Sequence, residues 1–394
     1  MSEGKLLKYL VSINPLGMLY GSAGPFLSPE NLVGRAGNRF PPSAATVAGL
    51  YAAEQWEGKH SLNDLAIVGP FWAEMNNPLA FYVPTPLNFR VKSNDDNDGY
   101  HITERWQWGK ESGWYLPSET KEKKSISSSW VCIDDWHQLQ AAKIENSAKR
   151  IPVIPASEVW KYHPHLHPRL EDNERHVVRP IETENDDLPS QQGSLFLENG
   201  EQVHPDRCLV YLSSRKLNIE DGWYRFGGEG HLVEIKCEEI SEGSSIDTLM
   251  KQPMGDCFSL LTPAVWGTQR LSYRFPVPTG KDSSTALTAS PNTEPLYSLP
   301  KTIQSPSGTN PESFWSISAM MTERPIPFRF RMGGTDKLKR LSRGRYAVPS
   351  GTVYQVSGEI PPWQEWQQEW FPTEGYSYKN WGCGFALPLT PPTK

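Results

Sequence analysis

The sequence predicts an α+β protein built in two halves, rich in short strands and poor in long helices. Three observations carry this. Thirty-five Pro and 31 Gly among 394 residues set turns and connections at a density that leaves room for few long helices. Short apolar runs bounded by Gly, Pro and Asn recur along the chain, as strands do. Finally, two glycine-rich turns, F-G-G-E-G-H at 226–231 and N-W-G-C-G at 380–384, each run into a closing strand, L-V-E-I-K-C and F-A-L-P-L. A repeated ending of this kind indicates duplication, with the boundary between residues 241 and 256.

Taken in order, residues 6–13 read as the first strand, stopped by Asn14-Pro15. A glycine-bearing loop follows and carries Arg35 and Arg39. Pro41-Pro42-Ser43 then opens a helix, with Ser43 as N-cap and Val47, Leu50, Tyr51 and Glu54 marking its periodic face. Strand, glycine loop and helix in that order suit an anion at the helix N-terminus. Neither the P-loop nor the dinucleotide fingerprint is present, however. Residues 67–72 and 80–84 are the next strands. From Lys92 to Lys149 the chain turns polar around Trp106, Trp108, Trp114, Trp130 and Trp136. Its weak apolar periodicity predicts a protruding hairpin and arm inserted in the first half.

Strands at 194–197 and 208–212, a short helical piece over 217–224 and a strand after His231 complete that half. The second half opens on a strand at 257–261 and passes through a Ser/Thr/Pro/Asn-rich loop at 279–312. Strands at 314–321, 328–332 and 351–356 follow. W-Q-E-W-Q-Q-E-W at 363–370 predicts a short amphipathic helix with Trp363, Trp366 and Trp370 on one stripe, for core or subunit packing.

Five cysteines, scattered and odd in number, point to free thiols in a reducing cytoplasm. No signal-peptide pattern follows Met1, and no apolar run approaches the ~18 residues of a membrane span, so a soluble, cytoplasmic protein is expected. No hydrolase elbow, zinc-protease, deaminase or kinase signature occurs. Asp134-Asp135 and Asp186-Asp187 read as solvated loop pairs. His163, His165, His167 and His176 lack cysteine and a second ligand pair of known spacing, and Pro164 and Pro168 interrupt them, so a structural role is preferred to zinc. Arg169, Arg175, His176 and Arg179 suit an anion-binding loop equally well. His231 is the best lone acid/base candidate, and a single histidine entering a strand is more often structural. The expectation is no catalytic residue, no metal and no cofactor.

One stretch stands out. Residues 324–345, R-P-I-P-F-R-F-R-M-G-G-T-D-K-L-K-R-L-S-R-G-R, hold eight Lys/Arg and a single acid, Asp336, in a chain of net charge -6. The overall charge excludes indiscriminate nucleic-acid binding, so a local excess of cations marks a polyanion site. As a strand, Phe328, Arg329, Phe330 and Arg331 put aromatics on one face and guanidinium groups on the other. Gly333-Gly334 permits close backbone approach, and Arg343, Arg345 and Tyr346 add donors and a stacking ring.

Four motifs in order carry a family resemblance: N-P-L…G-S-A-G-P-F…F-P-P-S-A-A-T-V-A-G-L, G-G-E-G-H-L-V-E-I, G-G-T-D…A-V-P-S-G-T-V-Y and N-W-G-C-G-F-A-L. Together, from about residue 6 to 388, the chain resembles the third-subunit family of the Cmr complex, the fifth-type Cas RAMP proteins of type III-B CRISPR effectors. The polar arm and the 279–312 loop lie outside the resemblance. It implies two ferredoxin-like, RRM-related domains, here 1–242 with the arm and 250–394. It also implies a cytoplasmic, non-catalytic ribonucleoprotein subunit of antiviral defence. Such a subunit holds the repeat-derived 5′ tag of the guide RNA and joins the polymerase-like large subunit to the first backbone RAMP subunit.

By motif position, the RNA-binding candidates are Arg35, Arg39, Arg329, Arg331, Gly333, Gly334, Lys337, Lys339, Arg340, Arg343 and Arg345. Gly227, Gly228, Gly230, Gly382 and Gly384 join them as backbone contributors. Two other functions compete. A RAMP endoribonuclease processing guide precursors would need His231 or one of the 163–176 histidines as acid/base. A carbohydrate-binding module would use the 15 tryptophans as sugar platforms and leave the basic stretch unexplained.

Overall fold

The structure, a computed structural model, describes residues 6–20, 40–54, 62–93, 99–117, 128–141, 150–168, 195–227, 230–267, 273–276, 315–330 and 341–390. The first half contains β1 (Tyr9–Pro15), α1 (Ala44–Glu54), β2 (Ile67–Glu74), β3 (Tyr82–Pro84), β4 (Phe89–Ser93), β5 (Tyr100–Arg105), β6 (Gln107–Gly109) and β7 (Gly113–Tyr115). It continues with β8 (Ser129–Cys132), α2 (Trp136–Gln140), β9 (Ile151–Pro155), α3 (Ala156–Val159), β10 (Trp160–Pro168), β11 (Leu195–Val203), β12 (Arg207–Ser213), β13 (Gly222–Phe226) and β14 (His231–Glu239). After α4 (Ser245–Lys251) come β15 (Cys257–Leu260), β16 (Ser316–Met321), β17 (Ile326–Phe328), β18 (Arg345–Ala347), β19 (Val353–Ser357), β20 (Thr373–Glu374), β21 (Tyr376–Ser377) and β22 (Ala386–Pro388). Antiparallel sheet dominates, and the described helices are few and short.

Two sheets repeat one strand order. The larger runs β13-β14-β1-β12-β2-β3-β8-β9-β5-β4, and the smaller runs β16-β19-β15-β22. Number β1, β2, β12 and β14 as first to fourth, and the middle of the large sheet reads fourth-first-third-second. Numbered likewise, β15, β16, β19 and β22 read the same way, and all these neighbours are antiparallel. In the first half α1 carries the chain from β1 to β2 with β12 between them, a split β-α-β unit. Each fourth strand follows a glycine turn with left-handed residues, Gly227 and Gly230 before β14, Gly382 and Gly384 before β22. The repeated ending in the sequence is therefore a repeated position in the fold. Ser244 caps α4 between the two sheets, accepting from the Asp247 N–H, while Asp247 accepts from the Gly243 N–H at 2.9 Å.

One apolar cluster runs through both halves. On α1, Val47 and Tyr51 are fully buried, and the Tyr51 hydroxyl lies 2.8 Å from Ser213 Oγ on β12. Phe71 of β2 meets Phe385 of the second half, ring centroids 6.2 Å apart. Paired with β1 on one edge and β2 on the other, β12 is buried almost end to end, which is why C-L-V-Y-L reads as an unbroken apolar run. The second half is built on rings: Trp315 lies 5.0 Å from Trp366 and Trp266 5.0 Å from Phe371.

The structure corrects several expectations. Of the stretch expected as a protruding arm, β5 and β8 are strands of the main sheet, with Ile102 and Val131 buried. Among the described residues of that stretch, only β6–β7 stands as a separate hairpin. Strands of four to six residues between polar runs are too short to register as a period. The same insertion ties the halves together: Trp136 Nε1 donates to Pro388 O at 2.8 Å, and Arg105 Nη2 to Leu389 O at 3.2 Å. The 217–224 piece is not helical, since β13 occupies its end. The H-P-H-L-H-P run is β10, paired with β11. Residues 363–370 form two 3-10 turns rather than one helix, because Gln364 and Trp366 carbonyls accept from Lys379 Nζ, the first at 2.9 Å. Trp363, Trp366 and Trp370 are core residues, not a subunit surface.

All five cysteines are free thiols. Burial pushes the Cys208 and Cys383 thiols up to about 12 and Cys257 up to about 11, from an ordinary value of 9.0. Because the unfolded chain ionises first, it loses protons that the folded chain keeps, so stability falls as pH rises above about 9. The urea midpoint should be lower at about pH 10.5 than at about pH 8. Equal midpoints would mean that these thiols are not shielded.

Candidate nucleic-acid interface

The described ends of the basic stretch pair with each other as antiparallel strands. β17 pairs with β18, matching Ile326 with Ala347, Pro327 with Tyr346 and Phe328 with Arg345. Beyond the ladder, the Ser342 N–H donates to Phe330 O at 2.8 Å, the Phe330 N–H to Ser342 Oγ at 3.0 Å, and Arg329 Nε to Ser342 O at 2.8 Å. Phe330 is buried and Phe328 half-buried, and both rings contact Tyr378. The strand is shorter than the sequence suggests, ending at Phe328 rather than spanning 328–332.

Alternation in β18 decides which side chains are available. Arg345 and Ala347 turn inward, 4% and 0% exposed, and Tyr346 turns outward at 58%. Glu374 fixes this register. Its carboxylate accepts from Arg345 Nη2 at 2.5 Å and from the Arg343 N–H at 2.8 Å. Arg345 Nε donates to the Tyr378 hydroxyl at 3.3 Å, and the guanidinium lies 5.5 Å from that ring's centroid. Burial raises the Tyr378 phenol above its ordinary value. The expectation that Arg345 is an exposed phosphate ligand is therefore corrected: it is an internal ion-pair residue. Arg324, Arg343 and Tyr346 remain exposed on the hairpin, and Arg329 is half-buried.

The glycine turns divide. Gly382 and Gly384 are buried with their amides engaged, Gly382 N–H on Lys379 O and Gly384 N–H on Pro263 O, each at 2.9 Å. Both are withdrawn as RNA contacts, because no amide is left to offer. Gly227 and Gly230 form the β13–β14 turn, and a Cβ at Gly227 would lie 4.0 Å from Thr46 in the first turn of α1. Arg35, Arg39, Gly228, Arg331, Gly333, Gly334, Lys337, Lys339 and Arg340 lie outside the described residues, as do Arg169, Arg175, His176 and Arg179. Sequence reasoning missed Glu374, Ser342 and Tyr378. An acid 29 positions from its arginine carries no local signal of pairing.

His231 is engaged structurally: its Nε2 accepts from the Tyr20 N–H at 3.2 Å, and the two rings lie 5.4 Å apart. Among the described residues no group of three His, Cys, Asp or Glu side chains is placed to hold a metal. Trp72, Trp136, Trp266, Trp315 and the three tryptophans at 363–370 are buried, which removes them as sugar platforms.

The profile of the family described as CRISPR-associated protein (Cas_Cmr3) matches residues 12–390. The chain belongs to this family. Cas_Cmr3 membership agrees with the resemblance carried by the four motifs. No curated protein matches the chain. Among solved structures, it is similar to a chain in a type III-B Cmr-beta complex bound to cognate target RNA and AMPPnP, with 9% identity, TM-score 0.43, and coverage of 88% of this chain and 86% of that one. A chain in a Cmr-beta complex bound to cognate target RNA gives 11%, 0.41, 88% and 86%. A chain of the Csm3-Csm4 subcomplex of a type III-A interference complex gives 9%, 0.32, 90% and 94%. No described helix of this Cas_Cmr3 protein is long and apolar enough to cross a membrane.

Proposed function

We propose that this Cas_Cmr3 protein is a non-catalytic RNA-holding subunit of a type III-B CRISPR effector complex. It binds the 5′ tag of the guide RNA and bridges the polymerase-like large subunit to the backbone RAMP subunits, in the cytoplasm. Its two ferredoxin-like domains span 1–242 and 250–394. Family membership supports the complex, and the repeated fourth-first-third-second strand order supports the paired domains. The observation that carries RNA binding is the β17–β18 hairpin, where Arg324, Arg343 and Tyr346 stand exposed at the base of a segment rich in Lys and Arg. Single-stranded RNA is held by this combination of cations, amides and rings.

The test is removal of the charges at Lys337, Lys339, Arg340 and Arg343. Arg345 is left in place, because its loss would damage the fold rather than the surface. Affinity for tag RNA should fall and its salt dependence flatten, and the RNA should remain intact throughout. Specific cutting of repeat RNA that disappears in a His231→Ala variant would favour the processing endoribonuclease instead. The engagement of His231 Nε2 by Tyr20 speaks against that outcome.

A further inference from the structure

Tyr346 is the most exposed described tyrosine, yet it sits on an unusually well-fixed backbone. One strand neighbour, Arg345, is locked inward by Glu374 and Tyr378, and the other, Ala347, is fully buried. Since side chains alternate along a strand, the Tyr346 ring has no inward alternative. Across the ladder it faces Pro327, beside Ile326 at 36% exposure. Among the described residues, no side-chain hydrogen bond or ring contact engages it. Arg343 and Arg324 are exposed at opposite ends of the same strand pair, with Glu323 preceding Arg324 in the chain and the Glu374 carboxylate on the Arg343 N–H.

A flat ring held outward on rigid backbone and flanked by cations has the chemistry of a base-stacking site on a polyanion track. A peptide partner would be served equally by the apolar patch but not by the charge, since 324–345 holds eight cations against one acid. We propose that Tyr346 is a stacking platform for one unpaired nucleobase of single-stranded RNA, with Pro327 packing beside it and Arg343 taking the adjoining phosphate. This rests on the RNA-holding reading and goes beyond it by naming the residue that contacts a base. The Arg345–Glu374 pair is the positioning device, holding the ring and the Arg343 backbone in one geometry. Stacking tolerates any base, so the site selects single strands over duplex rather than one sequence.

The experiment uses the full chain and a short single-stranded RNA carrying 2-aminopurine at one position after another. Tyr346→Ala should weaken binding roughly tenfold or more, with the salt slope unchanged, because the ring bears no charge. Tyr346→Phe should stay within about twofold, since no described residue hydrogen-bonds the hydroxyl. Arg343→Gln should instead lower the magnitude of the slope by about 0.7. One 2-aminopurine position should be quenched by the wild type and not by Tyr346→Ala, whose melting temperature should match the wild type. If Tyr346→Ala binds as the wild type does while the four-charge variant weakens, this site is wrong and the RNA-holding function stands. If neither variant weakens binding, both fall. If Tyr346→Ala keeps its RNA affinity but no longer retains a protein subunit, the ring is a protein contact and the proposal is overturned.

Discussion

Gly382→Ala is expected to unfold the protein or cost it a large part of its stability. Gly382 adopts φ +69°, where an added Cβ costs ~1–2 kcal/mol by itself. The space is worse than the conformation: that Cβ would lie 2.7 Å from Ile67 O and 2.7 Å from the Val68 Cα, both backbone atoms of β2. No side-chain rotation relieves such a clash, so the turn must lift off β2 and take β22 with it. Overpacking adds ~1–3 kcal/mol, and the sum is a substantial share of a typical ~5–15 kcal/mol. Gly375→Ala is the control, since Gly375 has φ +74° but nothing within 4 Å of its Cβ. Urea unfolding should show a small loss at Gly375 and at least ~3 kcal/mol at Gly382. Equal losses would mean that the halves do not meet at this turn.

Glu374→Ala should be nearly as damaging, for an electrostatic reason. The Arg345 side chain is 3% exposed and Glu374 13% exposed, so removing the carboxylate takes the 2.5 Å ion pair from a buried cation and the 2.8 Å hydrogen bond from the Arg343 N–H. Breaking one side of a buried pair costs ~3–5 kcal/mol, whereas replacing both sides with apolar groups is often close to neutral. Glu374→Ala alone should therefore lower stability by that amount, and adding Arg345→Met should restore most of it. A loss below ~1 kcal/mol in the single variant would mean that the pair is solvent-screened and does not set the hairpin register.

Much of the architecture was legible because it is local. The β12 run, the first helix with Val47 and Tyr51 on its face, and the two glycine turns before β14 and β22 are all visible over a few residues. What the sequence hid depends on distant partners. Trp136 reads as an arm tryptophan until Pro388 supplies its acceptor, and Trp363 to Trp370 read as a helix until Lys379 takes their carbonyls. The candidate site divides the same way. Charge excess at 324–345 is a property of composition and was readable. That Arg345 turns inward follows from a strand register and from an acid beyond β19, and neither leaves a trace in the spacing of arginines.

Whether the basic hairpin holds single-stranded RNA is tested most directly by tag-RNA affinity. It should be measured across a salt series for the wild type and for a variant neutral at Lys337, Lys339, Arg340 and Arg343. Every cation–phosphate pairing removed should lower the magnitude of the log–log slope by roughly 0.7. The variant should thus bind more weakly at low salt and show a markedly flatter slope, with an unchanged urea midpoint. Unchanged affinity together with an unchanged slope would contradict RNA binding at this hairpin and leave the stretch a solvated loop.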